Sequence, residues 1–274
     1  MNWSHGSVPE TDECLFWQVC MGRKDCHDCA MTEALAPASA IVFGASGAIG
    51  RALTARLVAN GEHAKVYAAV RDTSAELPHG AVPLHFGLGD EPAIAAALDA
   101  VSEPLGLVIV ATGLLHDPAR EIAPEKSWRA LDPAAMAALY AANTIGPALI
   151  AKHALPRLPR NRPAAFAALS ARVGSIGDNR LGGWHAYRAS KAALNMLIRN
   201  FAIELARSHP LGVVAALHPG TVDSALSAPF QRGVAPDQLF SPDQSAGYLL
   251  DVIAALTPAD SGGLFAWDGQ RLPD

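Results

Sequence analysis

The chain has 274 residues, enough for one large domain or two small ones at roughly 150 residues per domain. Hydrophobic residues make up 50% and charged residues 17%, which excludes intrinsic disorder over most of the length. The net charge of -5 provides no basic field to attract nucleic acid or anionic lipid, so we expect neither as a partner. Charged residues or prolines interrupt the apolar runs within the ~20 residues that a membrane-spanning helix needs, so we expect no membrane span.

All four cysteines lie near the start of the chain, at Cys14, Cys20, Cys26 and Cys29. Cys26 and Cys29 have the spacing of half a zinc site, and the other two thiols could complete it. Five residues separate Cys14 from Cys20, however, where structural zinc sites usually place two to four, so we expect no metal. The start of the chain also lacks the charged and apolar regions of a secretory signal, which favours a cytoplasmic location.

Residues 1–35 are interpreted as an N-terminal extension, and we expect them to be disordered. Met31 offers an alternative start just before the domain pattern begins. From residue 36 to residue 274 the prolines and glycines are spread singly rather than gathered into a linker. This distribution indicates one domain over residues 36–274.

Short aliphatic runs alternate with longer helical stretches through this domain. The predicted strands are residues 40–43, 65–70, 82–86, 105–111, 164–169, 211–217 and 263–266. They are apolar almost throughout, as in strands buried on both faces, and the intervening helices supply two covering layers. The pattern predicts an α/β fold: a single-domain Rossmann-type doubly wound parallel sheet of about seven strands with helices on both faces.

Two predicted helices, over residues 133–158 and 184–208, carry apolar residues around more of their circumference than one core contact requires. A second subunit would cover the remaining apolar surface, so we expect a homodimer or homotetramer. The alternative is that alanine fills exposed positions because of its high helix propensity.

A glycine-rich turn follows the first predicted strand and opens an amphipathic helix. Its candidate binding residues are Gly44, Ser46, Gly47, Ala48, Ile49 and Gly50. Such a turn lets the backbone approach a pyrophosphate, whose charge then meets free N–H groups at the positive end of the helix dipole. The place of the turn, after the first strand of an alternating fold, favours a dinucleotide site over a tight crossover without a ligand.

The end of the second strand selects the dinucleotide. Arg71 comes first after that strand, and Arg51 follows the last glycine of the turn, so the two cations could flank a 2′-phosphate. We therefore predict NADP(H) as the cofactor. Asp72 follows Arg71 and leaves NAD(H) open, because an acid at this place can accept the ribose 2′-hydroxyl.

Tyr187 and Lys191 are four residues apart on a predicted helix, which puts the phenol and the ammonium on one face. A neighbouring cation stabilises tyrosinate, and lowering a phenol pKa from ~10 toward neutrality needs ~4 kcal/mol of differential stabilisation. A phenol tuned in this way can give a proton to a carbonyl. The spacing therefore predicts a catalytic pair.

From about residue 40 to the C-terminus the chain resembles the short-chain dehydrogenase/reductase family. The resemblance rests on the glycine turn, on Asn143 in an Asn-Thr-Ile-Gly run, on Tyr187 with Lys191, and on the turn from Pro219 to Val222. The run over residues 172–184, just before the tyrosine, is most similar to the branch that includes bacterial C-factor-type proteins.

The resemblance implies that Tyr187 is the general acid or base, that Lys191 lowers its pKa and holds the nicotinamide ribose, and that Asn143 anchors a proton-relaying water. It adds further cofactor-binding residues to the glycine turn and the two arginines, with the last four at the carboxamide end of the nicotinamide. These added residues are Leu88, Gly113, Pro219, Gly220, Thr221 and Val222.

One departure from the family pattern concerns the serine that bonds the substrate carbonyl. It usually lies three residues before a glycine, and counting back from Gly174 gives Ala171. We expect Ser170 to take its place, with Ser175, or the absence of such a donor, as the alternatives. A missing donor of this kind costs ~3 kcal/mol of barrier.

Trp184 and residues 225–240 are interpreted as a mobile lid over an apolar substrate, with an ordinary surface loop as the alternative. His116, His185 and His218 are interpreted as lining of the same cleft.

The sequence as a whole predicts an NADP(H)-dependent carbonyl reductase or alcohol dehydrogenase that acts on a small-molecule carbonyl or alcohol. The alternative is a nucleotide-sensing or cell-signalling protein on the same fold with little turnover, which Ala171 favours. Tyr187, Lys191 and Asn143 together argue against that alternative, because a sensor needs no proton relay.

Overall fold

The computed structural model describes residues 36–72 and 74–273. The predictions for residues 1–35, including the absence of a metal at the four cysteines, lie outside the described residues. Among the described residues, no group of three or more His, Cys, Asp or Glu side chains is arranged to hold a metal ion.

An eight-stranded sheet forms the centre of the described chain, with the strand order β3-β2-β1-β4-β5-β6-β9-β10. The strands are β1 Ser39–Phe43, β2 Val66–Val70, β3 Val82–His85, β4 Leu105–Val110, β5 Ala164–Leu169, β6 Gly212–His218, β9 Leu264–Ala266 and β10 Arg271–Leu272. Neighbouring strands are parallel except β9 and β10, which are antiparallel. Every residue of β1 and β2 is buried, as the uniformly apolar pattern predicts for strands covered on both faces.

Helices cover both faces of this sheet. They are α1 Ala48–Asn60, α2 Glu91–Asp99, α3 Pro133–Tyr140, α4 Gly146–Ala154, α5 His185–Leu205 and α6 Pro242–Ala255. Residues of α2, α4 and α5 share one apolar cluster with the sheet, and residues of α1 and α6 share a second cluster on the opposite face. The doubly wound fold predicted from the sequence is therefore confirmed.

The structure adds short elements that the sequence pattern does not reveal. The strand β10 has only two residues, and a separate two-stranded sheet joins β7 Thr221–Val222 to β8 Leu239–Phe240. A strand of two residues is too short to show a periodic pattern of apolar side chains, so its pairing depends on tertiary contacts.

The predicted helix over residues 133–158 is divided by a π-helical turn at Ala141–Ile145. Within that turn the Gly146 N–H donates to the Ala141 carbonyl, one residue farther back than in an α-helix. Pro147 follows and has no N–H to donate, which removes one α-helical hydrogen bond at this place. The turn lies where Asn143 projects from the helix.

By length and composition alone, the segment Pro133–Arg157 is apolar enough to cross a membrane. In its most apolar stretch of 18 residues, 39% is buried inside the structure. Pro147 interrupts this segment, and the expectation of no membrane span stays a prediction. Ile150, Ala151 and Ala154 of this segment pack in the core against the sheet, and a core helix passes the same test.

Several large apolar side chains remain exposed on α5 and at the π-helical turn. The exposed fractions are 62% for Met196, 48% for Ile203 and 51% for Ile145. These positions agree with apolar surface beyond one core contact, but the predicted homo-oligomer stays a prediction.

The turn between β1 and α1 depends on a very close approach of two glycines. A Cβ on Gly50 would lie 2.2 Å from the Gly44 carbonyl oxygen, and Gly44 itself has a φ of 84°, in the left-handed region. Gly47 has a φ of -74°, and a Cβ there would meet the same oxygen at an ordinary 3.4 Å.

We expect Gly50→Ala to lower the free energy of unfolding by about 1–3 kcal/mol, because the added methyl must push backbone apart. Gly47→Ala is the matched control and is expected to change stability by less than about 1 kcal/mol, because its conformation and space accept a methyl. Urea unfolding of both variants measures the difference. Equal stability of the two variants would contradict this account of the turn.

Candidate active site

The candidate site lies at the carboxyl ends of the parallel strands, where the strand order reverses between β1 and β4. In doubly wound folds this crevice is the usual ligand site. Three cavities follow one another along it, and shared lining residues connect them. We call the first two the nucleotide groove and the third the Tyr187 cleft.

The first part of the nucleotide groove is a cavity of about 320 Å³ beside the glycine turn. The predicted cofactor residues Gly44, Ser46, Gly47, Arg71, Leu88 and Gly113 all line it. Gly47 is the N-cap of α1, has no capping side chain, and no acid occupies the first helical turn. The N–H groups at this helix start are thus available to an anion.

The second part of the groove is a cavity of about 430 Å³ that leads from the glycine turn to α5. The predicted residues in its lining are Ser46, Gly47, Ala48, Ile49, Gly113, Ser170, Tyr187, Lys191 and Pro219. Thr112 lines both parts, and its Oγ1 is buried without a hydrogen-bond partner in the described part of the chain. An unsatisfied buried hydroxyl in a groove is an available contact for a polar ligand.

The remaining predicted cofactor residues lie elsewhere. Gly220, Thr221 and Val222 line the Tyr187 cleft, next to the groove. Gly50 packs against Gly44 inside the turn, and Arg51 does not line the groove.

The side chains that were predicted to select the cofactor have different surroundings in the structure. Arg51 donates to the Glu76 carbonyl oxygen at 2.6 Å and lies 3.5 Å from its carboxylate. Asp72 accepts hydrogen bonds from the Ser74 N–H and hydroxyl, which lower the pKa of its carboxyl. Arg71 lines the groove without such a bond among the described residues.

Tyr187 and Lys191 lie on the same face of α5, as their spacing predicts, and both are buried. The Lys191 Nζ lies 5.9 Å from the centroid of the Tyr187 ring and donates to the Leu169 carbonyl oxygen at 2.8 Å. Burial lowers the pKa of Lys191 to about 7 and raises the pKa of Tyr187 to about 12. In the chain by itself, desolvation of the phenol therefore outweighs the neighbouring cation.

Asn143 joins the π-helical turn to both neighbouring elements. Its Oδ1 accepts the Leu114 N–H at 2.8 Å, and its Nδ2 donates to the Leu114 carbonyl oxygen at 2.8 Å and to the Ser190 hydroxyl at 3.0 Å. The side chain is fully buried. The loop after β4 and the start of α5 are thus held together by one amide, close to Lys191.

Ser170 and Ala171 differ in what they face. The Ser170 hydroxyl donates to the Asn195 Oδ1 at 2.6 Å, while Ala171 packs in an apolar cluster with Tyr187. Both residues line the Tyr187 cleft. Ser175, the other candidate, accepts the Asp178 N–H and is buried outside the cleft lining. A role for Ser170 at a carbonyl needs its hydroxyl to turn away from Asn195, and that role stays a prediction.

The Tyr187 cleft has a volume of about 350 Å³ and mainly apolar walls. Trp184 forms edge contacts with Phe230, at 5.0 Å between ring centroids, and with Tyr187, at 6.2 Å. Phe230 also contacts His116 at 5.7 Å, and His116 hydrogen-bonds the Ala225 carbonyl oxygen. Residues 224–234 therefore supply one wall of the cleft, and a mobile lid over residues 225–240 stays a prediction.

Of the three histidines interpreted as lining, only His218 belongs to the lining of the cleft itself within the described chain. Its Nδ1 is shielded from solvent and has no hydrogen-bond partner among the described residues. His116 lies behind Phe230, and His185 is the first residue of α5, outside the lining.

Glu125 is a site residue that the sequence analysis missed. The helix α5 begins after Trp184, which has a φ of 50° and provides no capping side chain. The Glu125 carbonyl oxygen accepts the Trp184 N–H at 2.6 Å, and its buried carboxylate accepts the Ala186 N–H at 3.3 Å. A residue about sixty positions upstream thus caps the helix that carries Tyr187, and no local sequence signal reveals such a cap.

The short chain dehydrogenase family matches residues 38–234 of the chain. C-signal of Myxococcus xanthus is 37% identical over 150 residues, which are 53% of this chain and 84% of that protein. The 1-hydroxy-2-glutathionyl-2-methyl-3-butene dehydrogenase of Rhodococcus sp. strain AD45 is 39% identical over 131 residues, 47% of this chain and 54% of that protein. A crystal structure of NADPH-bound carbonyl reductase from chicken fatty liver superposes with a TM-score of 0.74 at 27% identity, covering 86% of this chain and 98% of that one.

The family match spans well over half of the chain, and the fold and the groove agree with it. The chain belongs to the short-chain dehydrogenase/reductase family. The predicted resemblance, including that to C-factor-type proteins, is confirmed.

Burial of Lys191 should make the free energy of unfolding depend on pH. Its pKa is about 7 in the folded chain against an ordinary 10.5, so between these values the unfolded chain binds more protons than the folded chain. The free energy of unfolding should therefore rise with pH from 7 to 9.5, by up to about 1.4 kcal/mol per pH unit. We expect Lys191→Met to remove this rise, as measured by urea unfolding without cofactor.

Lys126 is exposed and provides the matched control. Lys126→Met should keep the rise of the wild-type chain. The same slope in the Lys191→Met variant would show that Lys191 is charged in the folded state at neutral pH.

Proposed function

We propose that the protein is an NADP(H)-dependent oxidoreductase that interconverts a carbonyl and an alcohol, with Tyr187 as the general acid or base. The observation that carries this proposal is that Tyr187 and Lys191 line the same groove as the glycine turn. A carbonyl placed beside Tyr187 would thus lie at the end of a dinucleotide whose phosphates rest on α1.

The described residues of the groove fit a dinucleotide independently of any comparison with other proteins. The α1 start has neither cap nor acid, Gly44 and Gly47 line the groove beside it, and the Thr112 hydroxyl is left without a partner in the described chain. The bound nicotinamide supplies or accepts the hydride. The NADPH-bound chicken carbonyl reductase, a relative of similar fold, supports the choice of cofactor.

The protein side of the reaction is proton transfer and positioning. In the reductive direction Tyr187 donates its phenolic proton to the carbonyl oxygen, which becomes the alcohol oxygen. Burial keeps the phenol protonated at neutral pH, which suits an acid. The Lys191 ammonium, beside the ring, stabilises the phenolate that remains, and Asn143 fixes the loop and the helix around it.

Tyr187→Phe tests this assignment. We expect kcat to fall by about 100-fold or more in NADPH oxidation with a panel of aldehydes, ketones and quinones, because the proton donor is lost. Tyr140→Phe removes a phenol outside the three cavities and should keep wild-type turnover. Full turnover by Tyr187→Phe would reject Tyr187 as the acid.

The preference for NADP(H) over NAD(H) is assigned to Arg71. Asp72 is held by Ser74, which leaves Arg71 as the side chain that faces the groove after β2. A guanidinium there would bind a 2′-phosphate in the way that arginine favours.

We expect Arg71→Gln to lower kcat/KM for NADPH by about 10- to 100-fold and to change kcat/KM for NADH much less, because a charge-assisted hydrogen bond is lost. Arg51→Gln is the comparison, and we expect a smaller effect because Arg51 is paired with Glu76. Equal decreases in kcat/KM for NADPH and NADH would show that Arg71 does not bind the 2′-phosphate.

A nucleotide-sensing or signalling protein is the second candidate function. Ala171 supports it, because its methyl stands beside Tyr187 where the family pattern has a hydroxyl. The similarity to C-signal also favours it. Tight NADPH binding without turnover of any carbonyl in the panel would favour this second function over the reductase.

A further inference from the structure

One end of the Tyr187 cleft carries a cation whose ion pair is long. Arg172 begins the short helical turn Arg172–Gly174, directly after Ala171, and it lines the cleft together with Tyr187. Its side chain is 47% exposed, and its Nη1 lies 3.8 Å from the Asp178 carboxylate, beyond hydrogen-bonding distance. No hydrogen bond of the Arg172 guanidinium is present within the described residues.

His218 lies in the same cleft at the end of β6. The neighbouring β5 ends beside it, since the Ser170 N–H donates to the Leu217 carbonyl oxygen. Burial lowers the pKa of His218 to about 4, so the imidazole is neutral at physiological pH. A neutral imidazole has one N–H donor. The His218 Nδ1 is shielded from solvent and has no hydrogen-bond partner in the described chain.

The charges around this end of the cleft are Arg172, Asp178 and Asp268. After burial, Arg172 is the larger electrostatic influence on the His218 pKa, and Asp268 opposes it more weakly. Of these charges, the Arg172 cation thus has the strongest influence on His218. An anionic group here would meet this cation and two groups able to donate hydrogen bonds.

The other walls limit the rest of the ligand. Trp184, Phe230, Leu115 and Val222 present apolar surface, and the volume of about 350 Å³ is at the small end for ligand sites. Aromatic edges and faces on one wall favour a flat apolar body.

We propose that the substrate is a compact, flat carbonyl compound that bears a carboxylate, and that Arg172 and His218 bind this carboxylate while the carbonyl lies at Tyr187. This inference rests on the proposed function for the placement of the carbonyl. It adds a specificity-determining pair, because a guanidinium binds a carboxylate through two parallel hydrogen bonds.

The test compares an acid with its uncharged ester. The first measurement is calorimetric binding of 4-(hydroxymethyl)benzoate and of its methyl ester to the full chain with NADP+ present. We expect the acid to bind about 10-fold or more tightly, and Arg172→Gln to bring the two affinities within about threefold of each other, because the charge-assisted bonds are lost. Arg172→Lys should keep part of the preference, since it keeps the charge.

The second measurement is NADPH-dependent reduction of 4-formylbenzoate and of its methyl ester, expressed as the ratio of the two kcat/KM values. Arg172→Gln should lower this acid-to-ester ratio by about 10-fold or more, for the same reason. Arg180→Gln is the matched control, because Arg180 is exposed, lies outside the cleft and bonds the Asn179 carbonyl oxygen. It should leave the ratio unchanged.

The outcomes separate this inference from the proposed function. Equal binding of acid and ester by the wild-type chain, or an acid preference that survives Arg172→Gln, overturns the inference even if neutral carbonyls are reduced. Acid binding that depends on Arg172, without reduction of any carbonyl, supports the carboxylate site and rejects the proposed reductase.

Discussion

The site depends on how closely α5 approaches the end of β5. A Cβ on Gly174 would lie 2.7 Å from the Lys191 Cβ, so the turn after β5 can rest on the helix only because residue 174 is glycine. The same approach brings the Lys191 Nζ to the Leu169 carbonyl oxygen, at 2.8 Å. The Lys191 ammonium is buried at this contact, and the same turn brings Ala171 and Arg172 to the lining of the cleft.

Two further restraints hold α5 in that position. Asn143 ties Leu114 to Ser190, which joins the loop after β4 to α5. Glu125 caps the helix start, which Trp184 cannot do with its own side chain. All three contacts join elements distant in sequence, and each satisfies polar groups whose burial without a partner would cost free energy. Preorganisation of Tyr187 is therefore a property of the packed fold.

The charge distribution divides the crevice into two functional parts. The nucleotide groove offers backbone N–H groups and Arg71, while the Tyr187 cleft is mostly apolar with Arg172 and His218 at one end. Between them lie Tyr187 and Lys191, whose pKa values burial shifts in opposite directions. Under the proposed function, Ala171 leaves the carbonyl position without the hydroxyl of the family pattern, so the proton of Tyr187 and binding of the rest of the substrate become more important.

The sequence by itself determined the fold class, the positions of seven strands and the family. Apolar runs of the right length, the glycine turn and the spacing of Tyr187 and Lys191 are local patterns, and a local pattern is visible in one dimension. Only the tertiary structure decided the π-helical turn at Asn143, the partners of Arg51 and Ser170, the cap from Glu125 and the presence of Arg172 and His218 in one cleft. Each of these depends on which side chains meet across elements far apart in the chain, and periodicity carries no information about such meetings.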